Sequence, residues 1–245
     1  MKYQNCIFDL YGTLVDIHTD EDAPCLWDMM AGYYRERGAS YRPNELRDAY
    51  RNAVRRAEGA ALPSRDAHEA HPEIQIEYVF QRLFRAKGVH ADLEQAIQAG
   101  QRFRRMSTEY VRLYSGAAEM LRTLRARGRG VYLLSNAQGI FTRMELDQLG
   151  LTPLFDRIYL SSDYGVKKPD RRFFDLLLQT EGIAPGSAIM VGNDGSCDIA
   201  GGRAAGLSTL YIRSNLSPDE PAPAADCVLE EMDLGRVMEI LAGDD

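Results

Sequence analysis

Apolar residues fall along the chain in two rhythms. The first is a short buried run, Asn5-Cys6-Ile7-Phe8-Asp9-Leu10, broken by Tyr11-Gly12-Thr13; it reads as a buried strand that presents Asp9 at its C-terminal end. From about Asp16 to Leu113 the spacing is helical. One helix is predicted from Pro24 to Arg37, stopped by Gly38; a second from Pro43 to about Glu58; a third from Pro72 to Lys87, with Ile76, Val79, Phe80, Leu83 and Phe84 on one face; and a fourth from Asp92 to Tyr114. Such faces predict a compact helical bundle.

From Ser115 onward helices alternate with short apolar strands. Strands are predicted at Gly130–Leu134, Arg157–Leu160, Ser187–Val191 and Ser208–Ile212, with helices at Ala117–Arg127, from Asn136 to Leu149, at Pro169–Thr180 and at Ile199–Ala205. Helices between buried strands require right-handed crossovers and a parallel sheet, hence an α/β fold. Residues 214–226, rich in Pro, Ser and Ala, read as a surface loop, and Cys227–Leu229 with a last helix closes the chain.

The polar clusters follow strands. Ligands in open parallel sheets bind beyond the carboxyl ends of the strands, so Asp9, Ser135-Asn136, Lys168 and Asp194 are expected to converge on one crevice. Asp9 is a candidate nucleophile or metal ligand, and the turn at Gly12 a candidate anion cradle through its backbone N–H groups. Ser135 and Asn136 can donate to an anionic oxygen, or cap the helix that follows. In Lys167-Lys168-Pro169-Asp170 a lysine can offset phosphate or carboxylate charge, or simply be solvated, while Pro169 fixes a helix start. In Gly192-Asn193-Asp194-Gly195-Ser196-Cys197-Asp198 the two acids suit magnesium, or cap a helix N-terminus.

The length, 245 residues, suits a core domain carrying a smaller one, and 45% hydrophobic with 27% charged residues is ordinary for a soluble protein. The net charge of -7 argues against a nucleic-acid surface and makes a local positive site necessary if the substrate is anionic. Cys6, Cys25, Cys197 and Cys227 form neither a disulfide framework nor a zinc pattern. The N-terminus lacks signal-peptide character and no apolar run could span a membrane, so a cytoplasmic location is the default expectation. His68 and His71 around Glu69-Ala70 do not make a metalloprotease motif; Arg102, Arg104 and Arg105 read as a solvated helix face, and Trp27 with Tyr33-Tyr34 as packing in the helical segment. Nothing in the sequence bears on oligomeric state.

Taken in order, Asp9-Leu10-Tyr11-Gly12-Thr13, Ser135-Asn136, Lys168-Pro169-Asp170 and the loop from Gly192 to Asp198 resemble the four motifs of the haloacid dehalogenase (HAD) superfamily, over residues 1–16 and 115–212. The resemblance implies a Rossmann-like three-layer catalytic core of residues 1–16 and 114–245, with a helical cap domain of residues 17–113 inserted after the first motif. It implies a hydrolase acting on a small anionic molecule, with Asp9 as nucleophile in an aspartyl intermediate. By resemblance Gly12, Thr13, Ser135, Asn136 and Lys168 hold the transferring group, and Mg2+ is bound by Asp9, the Tyr11 carbonyl, Asp194 and, directly or through water, Asp198.

Two positions depart from the family's phosphatases. Tyr11 stands where they carry a second Asp that protonates the leaving group, as it does in the 2-haloacid dehalogenases, whose halide leaves without a proton. Asn193 stands directly after Gly192, where some relatives have the first acid of the fourth motif. The expected function is a magnesium-dependent phosphatase of a small metabolite; the alternatives are a 2-haloacid dehalogenase-like hydrolase and a degenerate, ligand-binding HAD protein.

Overall fold

The computed structural model describes residues 3–61 and 71–243. Strands are β1 (Asn5–Phe8), β2 (Val15–Thr19), β3 (Thr108–Leu113), β4 (Gly130–Ser135), β5 (Arg157–Leu160), β6 (Ala188–Gly192), β7 (Ser208–Ile212) and β8 (Cys227–Leu229). Helices are α1 (Pro24–Glu36), α2 (Pro43–Ala61), α3 (Ile76–Ala86), α4 (Leu93–Ser107), α5 (Ala117–Ala126), α6 (Gly139–Gln148), α7 (Ser161–Tyr164), α8 (Arg171–Thr180), α9 (Gly201–Ala204) and α10 (Leu234–Ala242). A wider helical turn, Gly195–Ala200, leads into α9.

Six strands form one parallel sheet in the order β5-β4-β1-β6-β7-β8. Side chains alternate across it as the pleat demands. Cys6, Phe8, Leu133 and Val191 pack with α5 and α10 on one face, while Ile7, Tyr132, Leu134 and Met190 pack with α8 on the other. The result is the three-layer α/β architecture that the alternation of elements predicts. β1 lies between β4 and β6, so the residues that end these three neighbours share one rim of the sheet.

Helices α1–α4 bury a separate apolar cluster that includes Leu26, Trp27, Tyr34, Phe80, Phe84 and Phe103. Trp27, Tyr33 and Tyr34 are packed inside it, as their pattern suggests. The chain reaches this helical unit and returns through β2 and β3, an antiparallel ribbon that pairs Val15 with Leu113 and Thr19 with Thr108.

That ribbon is one place where the structure differs from the expected elements. The fourth helix ends at Ser107, and Thr108-Glu109-Tyr110-Val111-Arg112-Leu113 continues as strand, because a β-branched and aromatic run finds a paired partner there. The third helix begins at Ile76 instead of Pro72. Residues 71–74 lie extended against the core: His71 N–H donates to Asp170, Lys167 N–H to the His71 carbonyl, and Glu73 N–H to the Gly165 carbonyl. Of the His68–His71 cluster, His68, Glu69 and Ala70 lie outside the described residues. No helix among the described residues is long and apolar enough to cross a membrane.

Candidate active site

Three strand ends supply the site. Asp9 follows β1, with its N–H bonded to the Val191 carbonyl at 3.0 Å; Ser135 ends β4; Asn193 follows β6. All are buried, as are Thr13, Lys168 and Asp198. Asp9, Tyr11, Ser135, Asn136, Lys168 and Asn193 line one cavity with Asp194, Cys197 and Asp198, and Leu216 and Pro218 from the loop after β7 close part of its wall.

Lys168 is fully committed. Its Nζ donates to Asp9 Oδ1 at 2.7 Å, Asp198 Oδ1 at 2.6 Å and the Leu134 carbonyl at 2.7 Å, which uses all three ammonium hydrogens. Burial works against its charge, but Asp198 and Asp9 more than offset this and hold its pKa above the usual lysine value. Burial, with Asp9 beside it, pushes Asp198 up to about 7 despite the ammonium. Asp9, Ser135, Asn136, Lys168 and Asp194, expected to share one crevice, all line this cavity, and the first, second and fourth are joined by hydrogen bonds.

Asn136 holds the backbone of Lys168. Its Nδ2 donates to the Lys168 carbonyl at 3.0 Å, and Lys168 N–H donates to its Oδ1 at 2.8 Å. Pro169 does not open the following helix. The Lys168–Pro169 peptide is cis, and Asp170 is the N-cap of α8, accepting from Arg172 N–H at 3.0 Å.

In the turn at Gly12, the expected anion cradle, two backbone amides are already engaged. Gly12 N–H donates to the Val15 carbonyl at 2.8 Å and Thr13 N–H to the Leu10 carbonyl at 3.2 Å, so these two amides serve the loop itself. Gly12 has φ +84°, and a Cβ there would lie 2.3 Å from Asn193 Nδ2, so only glycine fits. The loop also presents the Thr13 hydroxyl, 3.3 Å from Asp9 Oδ2 and 3.2 Å from Asn193 Oδ1.

In the fourth motif the two candidates hold different positions, although both line the cavity. Asn193 faces Thr13 beside Asp9. Asp194, expected as a metal ligand, caps the turn Gly195–Ala200: its Oδ1 accepts from Ser196 N–H, Cys197 N–H and the Ser196 hydroxyl at 2.8–2.9 Å. Burial raises its pKa, but these bonds outweigh that and keep it below the usual carboxylate range. Asp198, also expected at the metal, gives Oδ1 to Lys168 and Oδ2 to Asp194 N–H. Among the described residues no three Asp, Glu, His or Cys side chains are placed to hold one metal ion.

Tyr11 lines the cavity, and its hydroxyl is bound by residues of α6. The phenol donates to Glu145 Oε2 in a short bond and meets Thr142 Oγ1 at 3.0 Å. Burial, and then Glu145, push its pKa above the ordinary phenol value. Arg104, expected on a solvated face, is largely buried and donates from Nε to Glu145 Oε1 at 2.7 Å. The sequence reading missed Glu145 altogether, because a lone acid between Met144 and Leu146 carries no local sign of a partner 41 residues away.

Comparison with known proteins bears on the family and the fold. The chain is 30% identical over 173 residues to the phosphoserine phosphatase of Thermus thermophilus, covering 68% of this chain and 70% of that one. Its fold matches that of a 2-haloacid dehalogenase from Pseudomonas syringae pv. Tomato (TM-score 0.65, 19% identity, 98% of both chains). It also matches the HAD-hydrolase YfnB of Bacillus subtilis bound to magnesium (TM-score 0.57, 20% identity, 98% of this chain and 99% of that one). A family model for haloacid dehalogenase-like hydrolases matches residues 3–206; with Asp9, Ser135 and Lys168 gathered at the rim of a parallel sheet, the chain belongs to that family and is a hydrolase.

Proposed function

We propose that the protein is a phosphohydrolase that uses Asp9 to take a phosphoryl group from a small metabolite whose leaving group needs little protonation. The observation that carries this reading is the state of Asp9: buried at a strand end, with Oδ1 accepting from Lys168 and Ser135 and Oδ2 from Thr13. Those donors orient the carboxylate, and the Lys168 ammonium offsets part of the charge that an anionic substrate brings to it. Identity to a phosphoserine phosphatase over two thirds of each chain supports phosphorus as the centre attacked.

In the first step an Asp9 oxygen forms a bond to phosphorus while the bond to the leaving oxygen breaks, and the electron pair stays on that oxygen. In the second, a water oxygen bonds to phosphorus, the aspartyl–phosphorus bond breaks, and inorganic phosphate leaves with Asp9 restored. Tyr11 is a poor proton donor for the first step, since its phenol is tied to Glu145 and its pKa is raised. Acyl phosphates and aryl phosphates, which depart readily as anions, suit such a site.

Magnesium fits this site in altered form. Asp9 Oδ2 and Asn193 Oδ1 converge on the single Thr13 hydroxyl, so one carboxylate and one amide oxygen, with the Tyr11 carbonyl, make a hard-oxygen set for an ion that keeps several waters. When bound, the ion would neutralise charge on the phosphoryl oxygens. Asp194 and Asp198 stand outside this proposed set.

The test is phosphate release from acetyl phosphate, p-nitrophenyl phosphate and alkyl phosphate esters, with and without magnesium, using Asp9→Asn as control. Release from the first two, faster than from alkyl esters by about 10²-fold or more and lost in the variant, is the expected result. No release from any of them would overturn the reading. A second reading, displacement of halide from a 2-haloacid, is favoured by the same withdrawal of Tyr11 from proton donation, and halide release would then be measured. Binding without turnover is disfavoured by the intact set of Asp9, Ser135 and Lys168.

A further inference from the structure

Glu145 lies on the core helix α6 and divides its two carboxylate oxygens between two bodies. Oε2 accepts from the phenol of Tyr11, which belongs to the nucleophile loop and lines the cavity at Asp9. Oε1 accepts from Nε of Arg104, which belongs to the cap helix α4. Both charged side chains are largely buried, 8% and 15% exposed. An ion pair so placed is costly to open, because either charge left alone would remain in a poorly solvated site.

The contact around it is close. Gly100, one turn before Arg104, brings the backbone of α4 onto α6: a Cβ there would lie 2.6 Å from Ile140 Cδ1 and 2.9 Å from the Phe80 ring. The Arg104 guanidinium lies 5.8 Å from the Tyr11 ring centroid and 5.5 Å from that of Phe141. The cap thus docks on α6 through a glycine and, one turn later, through a guanidinium that meets the carboxylate holding Tyr11.

We propose that Glu145 is a positioning residue for the reaction: by holding Arg104 of the cap and Tyr11 of the nucleophile loop with opposite oxygens, it makes docking of the cap and placement of the Tyr11 wall beside Asp9 a single event. Tyr11, two residues after the nucleophile, then serves as a mechanical link instead of a proton donor. This rests on the phosphohydrolase reading only for the kinetic half of its test.

The experiment combines amide hydrogen exchange of residues 93–107 with kcat and KM for p-nitrophenyl phosphate in magnesium, for the wild-type chain, Glu145→Gln, Arg104→Gln, their double variant and Tyr11→Phe. Glu145→Gln and Arg104→Gln are expected to speed exchange in α4. They are also expected to lower kcat on the order of 10²-fold while KM stays within about threefold, since substrate still enters but the wall is misplaced. The double variant should be no worse than either single one. Tyr11→Phe, a mild change that removes only the hydroxyl, should speed exchange in the same cap helix. Exchange in α4 that rises in Glu145→Gln but not in Tyr11→Phe would reduce Glu145 to a fastener of the cap and overturn the proposal, as would unchanged exchange in all variants. If the wild-type chain does not turn over this ester, the phosphohydrolase reading fails while the exchange data still decide the linkage.

Discussion

The Lys168 ammonium lies 2.6 Å from Asp198 Oδ1, as close as it lies to Asp9 Oδ1. Asp198 is therefore a second counter-ion of the lysine, and in the proposed reaction it would keep that cation in place while Asp9 carries the phosphoryl group. Lys168→Met should expose this arrangement. It leaves Asp9 and Asp198 buried without their cation, so stability should fall by about 3–5 kcal/mol in urea unfolding. Turnover should fall by roughly 10²–10³-fold in the same preparation. Unchanged stability would mean that Lys168 does not hold the two acids together.

The division of labour between Asn193 and Asp194 can be read from magnesium binding. Asn193→Asp adds a carboxylate at Thr13, beside Asp9. Without metal it should lower the melting temperature through like-charge repulsion, and it should tighten magnesium binding about tenfold or more, measured as the metal-dependent rise in melting temperature. Asp194→Ala should leave magnesium affinity unchanged and cost about 1 kcal/mol through the lost cap. The opposite pattern would return Asp194 to the metal.

Sequence alone reached the α/β core, and with it the strand-end positions of Asp9 and Ser135, because a buried parallel strand announces itself as an apolar run and the residue that ends it is displaced to the rim; Lys168 ends no strand and was legible only as part of a motif. The choice between Asn193 and Asp194 was beyond it: both follow Gly192 within two residues, and only the turn that Asp194 caps decides which one faces Thr13. The β2–β3 ribbon was hidden by length, since six residues of alternating pattern after a fifteen-residue helix read as more helix. Arg104 and Glu145 were opaque for a different reason. Each is a charge on a helix, which ordinarily means solvent, and their pairing is set by how two helices cross.

Gly12→Ala separates backbone strain from crowding when compared with Gly128→Ala. Both glycines have positive φ, +84° and +73°, but a Cβ at Gly128 meets nothing within 4 Å, whereas one at Gly12 would strike Asn193. Gly128→Ala should cost about 1–2 kcal/mol and leave turnover intact. Gly12→Ala should cost more than that and also abolish turnover, because Asn193 and Thr13 must move. Equal costs by chemical denaturation would show that the loop absorbs the methyl group.

The acid limb of stability should depend on Asp16, at the base of the ribbon. Burial raises its pKa, but bonds from Asn215 and Arg112 together outweigh burial and hold the carboxyl below the usual value of 3.8. The unfolded chain therefore binds the proton first, and the stabilisation, present in full above the ordinary carboxylate range, is lost as pH falls through and below it. Asp16→Asn should be less stable than wild type at neutral pH and should show a shallower decline between about pH 5 and pH 3. Parallel curves for the two proteins would remove Asp16 from the acid response.

Thr19 and Thr108 face each other at the outer end of the antiparallel ribbon, where the chain leaves for its helices and comes back. Opposed residues in such a pair are only about 5 Å apart. The excursion between them can therefore be cut out and closed with a hairpin turn, or exchanged for another excursion of any length, without altering the path of a single core strand. Any replacement excursion would leave the sheet in place but would have to restore a partner for Glu145, which Arg104 now supplies.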